Sequence, residues 1–189
     1  MPMQKLEPRQ SVVLVVDVQE RLVAAMPPEA SAKAAARTAL LVRGANALSV
    51  PVIVTEQYPK GLGPTEAVVQ AALDELSSSA LRLEKLDFDV SQDPAILAAL
   101  RATGATQVVI AGMESHICVH QSARGLLAEG FQVHVALDAT CSRDALHVDL
   151  ARGLWRDDGA VVSAVETVLF DWLGRAGGDA FRAISRLVR

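Results

Sequence analysis

Short β-branched runs recur along the chain, each followed by an Ala/Leu-rich segment with apolar residues three and four apart. A chain that switches repeatedly between strand and helix patterns builds βαβ units around a parallel sheet. Residues 12–16 read Val-Val-Leu-Val-Val without polar alternation, as expected of a strand covered on both faces. Further strands are predicted at 52–55, 81–84, 107–111, 132–137 and 161–163, and helices at 31–48, 65–76, 116–129, 145–156, 166–173 and 181–187. Asp93 is placed to cap a helix with Pro94 at its first position, running toward Gly104. The expected architecture is an α/β fold of three layers, with an open, mainly parallel sheet of about six strands and helices on both faces.

A length of 189 residues favours one domain over residues 1–189. Apolar residues make up 51% and charged residues 21%, which excludes a disordered chain or a coiled coil. Lys+Arg 18 against Asp+Glu 22 leaves a net charge of −4, with no basic block to neutralise a phosphate backbone, so no nucleic-acid partner is expected. No apolar stretch reaches the roughly 18 residues of a membrane span and the start is polar, so a cytoplasmic protein with no membrane partner is expected.

In open α/β sheets ligands bind beyond the carboxyl ends of the strands. The polar residues expected there are Asp17, Gln57 with Tyr58, Lys85, Cys118 and Asp138. Cys118 lies in Ala-Gly-Met-Glu-Ser-His-Ile-Cys-Val, a strand-to-helix turn that puts the thiol at the first helical turn. Orphan N–H groups and the helix dipole stabilise a thiolate there, and an ammonium such as Lys85 would lower its pKa further. The same N–H groups can hold an oxyanion, and Asp17 can take the thiol proton and return it to a leaving amine. A low-pKa exposed thiol would equally suit a redox role, and a cysteine in an apolar run also serves as a small core residue.

His116 and His120 bracket Cys118 four residues apart. In a regular helix, at roughly 100° per residue, Cys118 points away from that pair, so no metal site is expected. Cys141 lacks a C-x-x-C partner and reads as a packed thiol with a minor lining role. No glycine-rich segment has the form of a phosphate loop, and no cofactor is expected. Trp155 and Trp172 read as core or subunit-interface residues.

Val16-Asp17-Val18-Gln19, Glu84-Lys85 before Phe88, the 111–119 segment and Asp138-Ala139 with Ser142-Arg143 together resemble the isochorismatase-like cysteine hydrolases. Within that family the chain is similar to the isochorismatase domain-containing subgroup through Thr55 to Gly63 and Val165 to Phe170. The resemblance implies a catalytic triad of Asp17, Lys85 and Cys118. It also implies a cis peptide between Met113 and Glu114 shaping an oxyanion hole in which the Cys118 N–H is a donor, and a homo-oligomer. Gln57-Tyr58-Pro59 stands where nicotinamidases carry metal-binding His and Asp, and Leu86-Asp87-Phe88-Asp89 departs from the usual pocket wall.

The resulting expectation is a metal-independent hydrolase of a small amide-type molecule, working through a thioester, with Gln19, Gln57 and Tyr58 contacting substrate. The alternative is a non-catalytic ligand-binding or scaffold protein that keeps the fold. Rapid alkylation of an activated Cys118 would separate the two.

Overall fold

The structure, a computed structural model, describes residues 5–189; residues 1–4 of the expected 1–189 domain lie outside that span. Strands β1 (Ser11–Val16), β2 (Val52–Gln57), β3 (Leu81–Lys85), β4 (Gln107–Met113), β5 (Gln132–Cys141) and β6 (Val161–Ser163) form one sheet. Its order is β3-β2-β1-β4-β5-β6, and all neighbours run parallel. The connections carry helices α1 (Glu20–Ala24), α2 (Pro28–Ala47), α3 (Pro59–Leu62), α4 (Ala67–Asp74), α5 (Pro94–Ala102), α6 (His120–Ala128), α7 (Ala145–Asp158), α8 (Val165–Leu173) and α9 (Gly178–Leu187). The open three-layer α/β architecture expected from the alternation is the one that forms.

Parallel pairing demands crossovers, and the crossovers cover both faces of the sheet. β1 shows the result residue by residue. Val13 and Val15 enter a core shared with α2, α4, α8 and α9. Val12, Leu14 and Val16 enter the opposite core, shared with α5, α6 and α7. A strand buried on both sides has no use for polar alternation, which explains its uninterrupted apolar run. Trp155 and Trp172 are both core residues, and Trp172 Nε1 donates to Ser11 Oγ at 2.9 Å.

The chain builds outward from β1 to β3, then returns to lay β4 on the other side of β1. That reversal leaves a crevice beyond the carboxyl ends of β1 and β4, where the two connections leave on opposite faces. Asp17 follows β1 and the Cys118 turn follows β4, so the topology brings together residues far apart in sequence. Gly112 lets the two strands close up at this point: it has φ +140°, and a Cβ there would lie 2.0 Å from the Val16 carbonyl oxygen.

Several boundaries depart from the sequence reading. α2 begins at Pro28, three residues earlier than expected, with a proline in its first turn. β5 does not stop at Leu137. Its register with β4 jumps from Ile110↔Val135 to Gly112↔Thr140, and pairing continues to Met113↔Cys141. The residues between form a bulge that turns Asp138 away from the strand end. Finally, Ser115–Val119 is a π-helical turn preceding α6.

Candidate active site

Asp17 leaves β1 in the left-handed region, with φ 53°, a conformation that Asp and Asn tolerate better than most side chains. Its carboxylate is fully enclosed. Oδ2 accepts from Lys85 Nζ at 2.6 Å and Oδ1 accepts from Thr55 Oγ1 at 2.8 Å. Both side chains of the Asp17–Lys85 pair are 0% exposed. Lys85 also donates to Gln57 Oε1 at 2.7 Å and to the Asp87 carbonyl at 3.2 Å. An ammonium has three donors, so these contacts satisfy it.

The Cys118 thiol is close enough to the Asp17 carboxylate to feel its charge, and its residue is 6% exposed. The three residues singled out by sequence therefore meet: Asp17 is bonded to Lys85, and both charges act on Cys118. Burial raises the Asp17 pKa above its ordinary value, against the pull of Lys85 and Thr55. Burial first, then the Asp17 charge, pushes the Cys118 thiol up to about 12; Lys85 opposes them and loses. This corrects the expectation of a standing low-pKa thiolate. The Lys85 charge is opposed at the thiol by desolvation and by the Asp17 charge, so the resting sulfur is protonated. A redox role that needs an exposed low-pKa thiol loses its basis for the same reason.

The Met113–Glu114 peptide is cis. The Glu114 carbonyl accepts from Ile117 N–H at 3.1 Å and Val119 N–H at 3.2 Å, on either side of Cys118. Glu114 Oε2 accepts from the backbone N–H of Arg143 at 3.2 Å and from its Nε at 3.0 Å. The Glu114–Arg143 pair ties the turn after β4 to the end of β5. Sequence reading quoted both residues and gave them no such role.

Of the residues expected to contact substrate, Gln19 is fully buried. It donates to the Gln57 carbonyl at 3.1 Å and the Gly63 carbonyl at 2.7 Å, and accepts from Gln57 N–H at 2.8 Å. Both donors are thus committed to backbone, and the side chain fastens the loop after β2. Gln57 spans from Lys85 to the Leu86 carbonyl, which it reaches at 2.7 Å. Tyr58 is half exposed. Together with Pro59, Lys60, Lys85, Leu86 and Asp87 it lines an open cavity of about 450 Å³.

Two other expectations change. Asp138 accepts from Val165 N–H at 2.8 Å at the start of α8 and faces Arg37 at 3.5 Å, so the β5 bulge removes it from the site. Cys141 packs in the core on the opposite face of the sheet from Cys118, which leaves it no lining role. His116 Nδ1 lies 3.0 Å from Ser142 Oγ, whereas His120 Nδ1 lies 3.7 Å from Asp158. These histidines turn to separate partners. The π turn, rather than a regular 100° step, separates His116 from Cys118. Thr55 was missed; its sign in the sequence is a lone hydroxyl near the end of a strand adjacent to Asp17.

A model of the isochorismatase domain matches residues 11–167, a span that contains the whole sheet and every residue of this cluster. The chain belongs to the isochorismatase family. Isochorismatase domain-containing protein 1 of Salmo salar is 36% identical over 79% of this chain and 51% of its own length. The Danio rerio form is 32% identical over 97% of this chain and 62% of its own length. The isochorismatase-family chain described here thus spans about half to three-fifths of these relatives. Isochorismatase domain-containing protein 2 of Homo sapiens is 34% identical over 96% of this chain and 84% of its own length.

Among solved structures, the MAR1 ribonuclease of Caenorhabditis elegans superposes with TM-score 0.90 at 28% identity, covering 98% of this chain and 92% of that one. The YcaC gene product of Escherichia coli, described as an octameric hydrolase of unknown specificity, has TM-score 0.88 at 23% identity, with 99% and 90% covered. It shares the isochorismatase fold. No helix among the described residues is long and apolar enough to cross a membrane.

Proposed function

We propose that the chain is a cysteine hydrolase of a small amide-type substrate, working without a metal through a thioester. The observation that carries this reading is the buried Asp17 carboxylate, which accepts from the Lys85 ammonium and whose charge acts on the Cys118 thiol. In the reaction, Cys118 Sγ bonds to the amide carbonyl carbon as its proton passes to Asp17. The Cys118 N–H, at the turn built on Glu114, donates to the developing oxyanion. The C–N bond then breaks, and the amine leaves with the proton held by Asp17. Water, giving its proton to Asp17, adds to the thioester; the C–S bond breaks, the acid departs and the sulfur is reprotonated.

A thiol with a pKa of about 12 is not deprotonated in advance, so proton transfer and attack are coupled. The raised pKa of Asp17 makes that carboxylate a stronger base for the step. Lys85 holds the site's charge as the proton moves. Gln57 positions Lys85, Gln19 positions the loop after β2, and Tyr58 at the open cavity contacts substrate. The cavity of about 450 Å³ adjoins the site at Lys85, while Asp17 and Cys118 do not line it. The donor set favours the metal-free reading, because His116 and His120 are engaged with different partners.

The octameric relative supports a homo-oligomeric active form, and the two free cysteines suit a reducing, cytoplasmic location. The non-catalytic alternative keeps one supporting observation, the raised thiol pKa. The test is a panel of small amides, with turnover followed in wild type and Cys118→Ala. Turnover lost in a variant with unchanged circular dichroism supports the hydrolase, and turnover retained overturns it. RNA belongs in the panel because of the ribonuclease relative, with no cleavage expected from a chain of net charge −4.

A further inference from the structure

We propose that the open cavity beside Lys85 selects substrates by their chain: it takes small amides with an apolar chain whose far end is neutral or cationic, and turns away chains that end in a carboxylate. The proposal rests on the hydrolase reading of the same site and names the substrate class. The cavity opens at Lys85 and not over Cys118, so it suits the part of the substrate that does not react. Its apolar wall is Tyr58, Pro59 and Leu86. Leu86 is 74% exposed, and an apolar chain laid against it would remove that surface from water.

The exposure of that wall is built in. After β3 the backbone carbonyls of Leu86, Asp87 and Phe88 accept in turn from Gln57 Nε2 at 2.7 Å, Lys85 Nζ at 3.2 Å and Ser122 Oγ at 3.3 Å. Ser122 Oγ also accepts from Val90 N–H at 3.2 Å. Ser122 stands on α6, four residues after Cys118. A Cβ at Gly125, on the same helix, would lie 2.3 Å from Ser91 Oγ and 2.4 Å from each Asp89 carboxylate oxygen, so the missing side chain lets the loop seat on α6. The loop therefore runs, pinned by its backbone, from Lys85 to the helix that continues from the Cys118 turn. Three successive carbonyls are held by these partners while Leu86 and Phe88 stay exposed. A wall fixed in advance costs little ordering when a chain binds to it.

Charge sets the second requirement. The Lys85 ammonium is matched by Asp17. Of the other charged residues lining the cavity, Lys60 stands alone against Glu84, Asp87 and Asp93. Glu84 and Asp87 have no ion-pair partner among the described residues. A surplus of carboxylates around a small cavity repels an anionic chain and attracts a cationic one.

The experiment compares hexanamide, 6-aminohexanamide and adipamate, which share a six-carbon chain and differ only at its far end, with acetamide, which lacks the chain. Ammonia leaves from each, so differences report the chain alone. Turnover is measured in wild type, and binding to Cys118→Ala by calorimetry. The expected result is that hexanamide and 6-aminohexanamide exceed adipamate by about tenfold in kcat/KM and in affinity. Leu86→Ser should lower the hexanamide-to-acetamide ratio several-fold, and Glu84→Gln with Asp87→Asn should admit adipamate. Adipamate handled as well as hexanamide overturns the proposal, as does an unchanged ratio in Leu86→Ser or no binding of any chain. Turnover without a chain preference removes the selection and leaves the hydrolase. The predicted preference in binding, with no turnover, supports the selection and removes the hydrolase.

Discussion

Lys85 Nζ stands 2.6 Å from Asp17 Oδ2 with both side chains sealed from solvent. In the proposed mechanism that contact sets how Cys118 is activated. The ammonium that could have stabilised a thiolate is held by the carboxylate, and the carboxylate charge acts on the thiol with the opposite sign. In the proposed reaction the site serves as a proton relay during attack.

Asp17→Asn separates those two effects. Removing the carboxylate charge takes away one cause that raises the thiol pKa and leaves Lys85 pulling it down, so the pKa falls from about 12. Iodoacetamide labelling of Cys118 at neutral pH is expected to quicken while amide turnover is lost. Slower labelling in the variant would show that Asp17 generates a standing thiolate in wild type.

Lys85→Met leaves a buried carboxylate without its cation. Breaking a fully buried pair from one side costs about 3–5 kcal/mol, read as a fall in urea-unfolding free energy. The double variant Asp17→Asn with Lys85→Met removes the stranded charge and regains most of that loss. A single-variant cost below about 1 kcal/mol would mean that the pair is solvated and the site open to water.

His134 makes stability depend on pH. Burial between β4 and β6 lowers its pKa from 6.5 to about 4. The unfolded chain binds this proton first as pH falls, so the contribution is present above about 6.5 and is lost progressively down to about 4. The span corresponds to about 3 kcal/mol. Unfolding free energies at several pH values, in wild type and His134→Gln, should differ in slope inside that window and run parallel above it.

The sequence made parts of this arrangement legible for definite reasons. β1 and β4 read clearly because burial on both faces removes polar residues from them. The α5 cap also read clearly: Asp93 accepts from Ala95 N–H at 2.9 Å and Ile96 N–H at 3.2 Å, as its position before Pro94 implied. The end of β5 did not, since Leu137-Asp138 looks like a strand terminus and only the pairing of Thr140 with Gly112 shows that the strand resumes. The meeting of Asp17, Lys85 and Cys118 followed from strand ends at the crevice. Their electrostatic order did not, because sequence places charges near one another without saying which contact is shorter or how dry the site is. The assignment of Gln19 to substrate failed to foresee that two backbone carbonyls would take both its donors.

The most direct measurement is the intact mass of enzyme quenched in acid during turnover of an amide substrate, followed by peptide mapping. An adduct of the acyl group's mass on Cys118, absent from Cys118→Ala and decaying at the turnover rate, is the predicted result. Turnover with no adduct on Cys118, or undiminished turnover in Cys118→Ala, would contradict the thioester route.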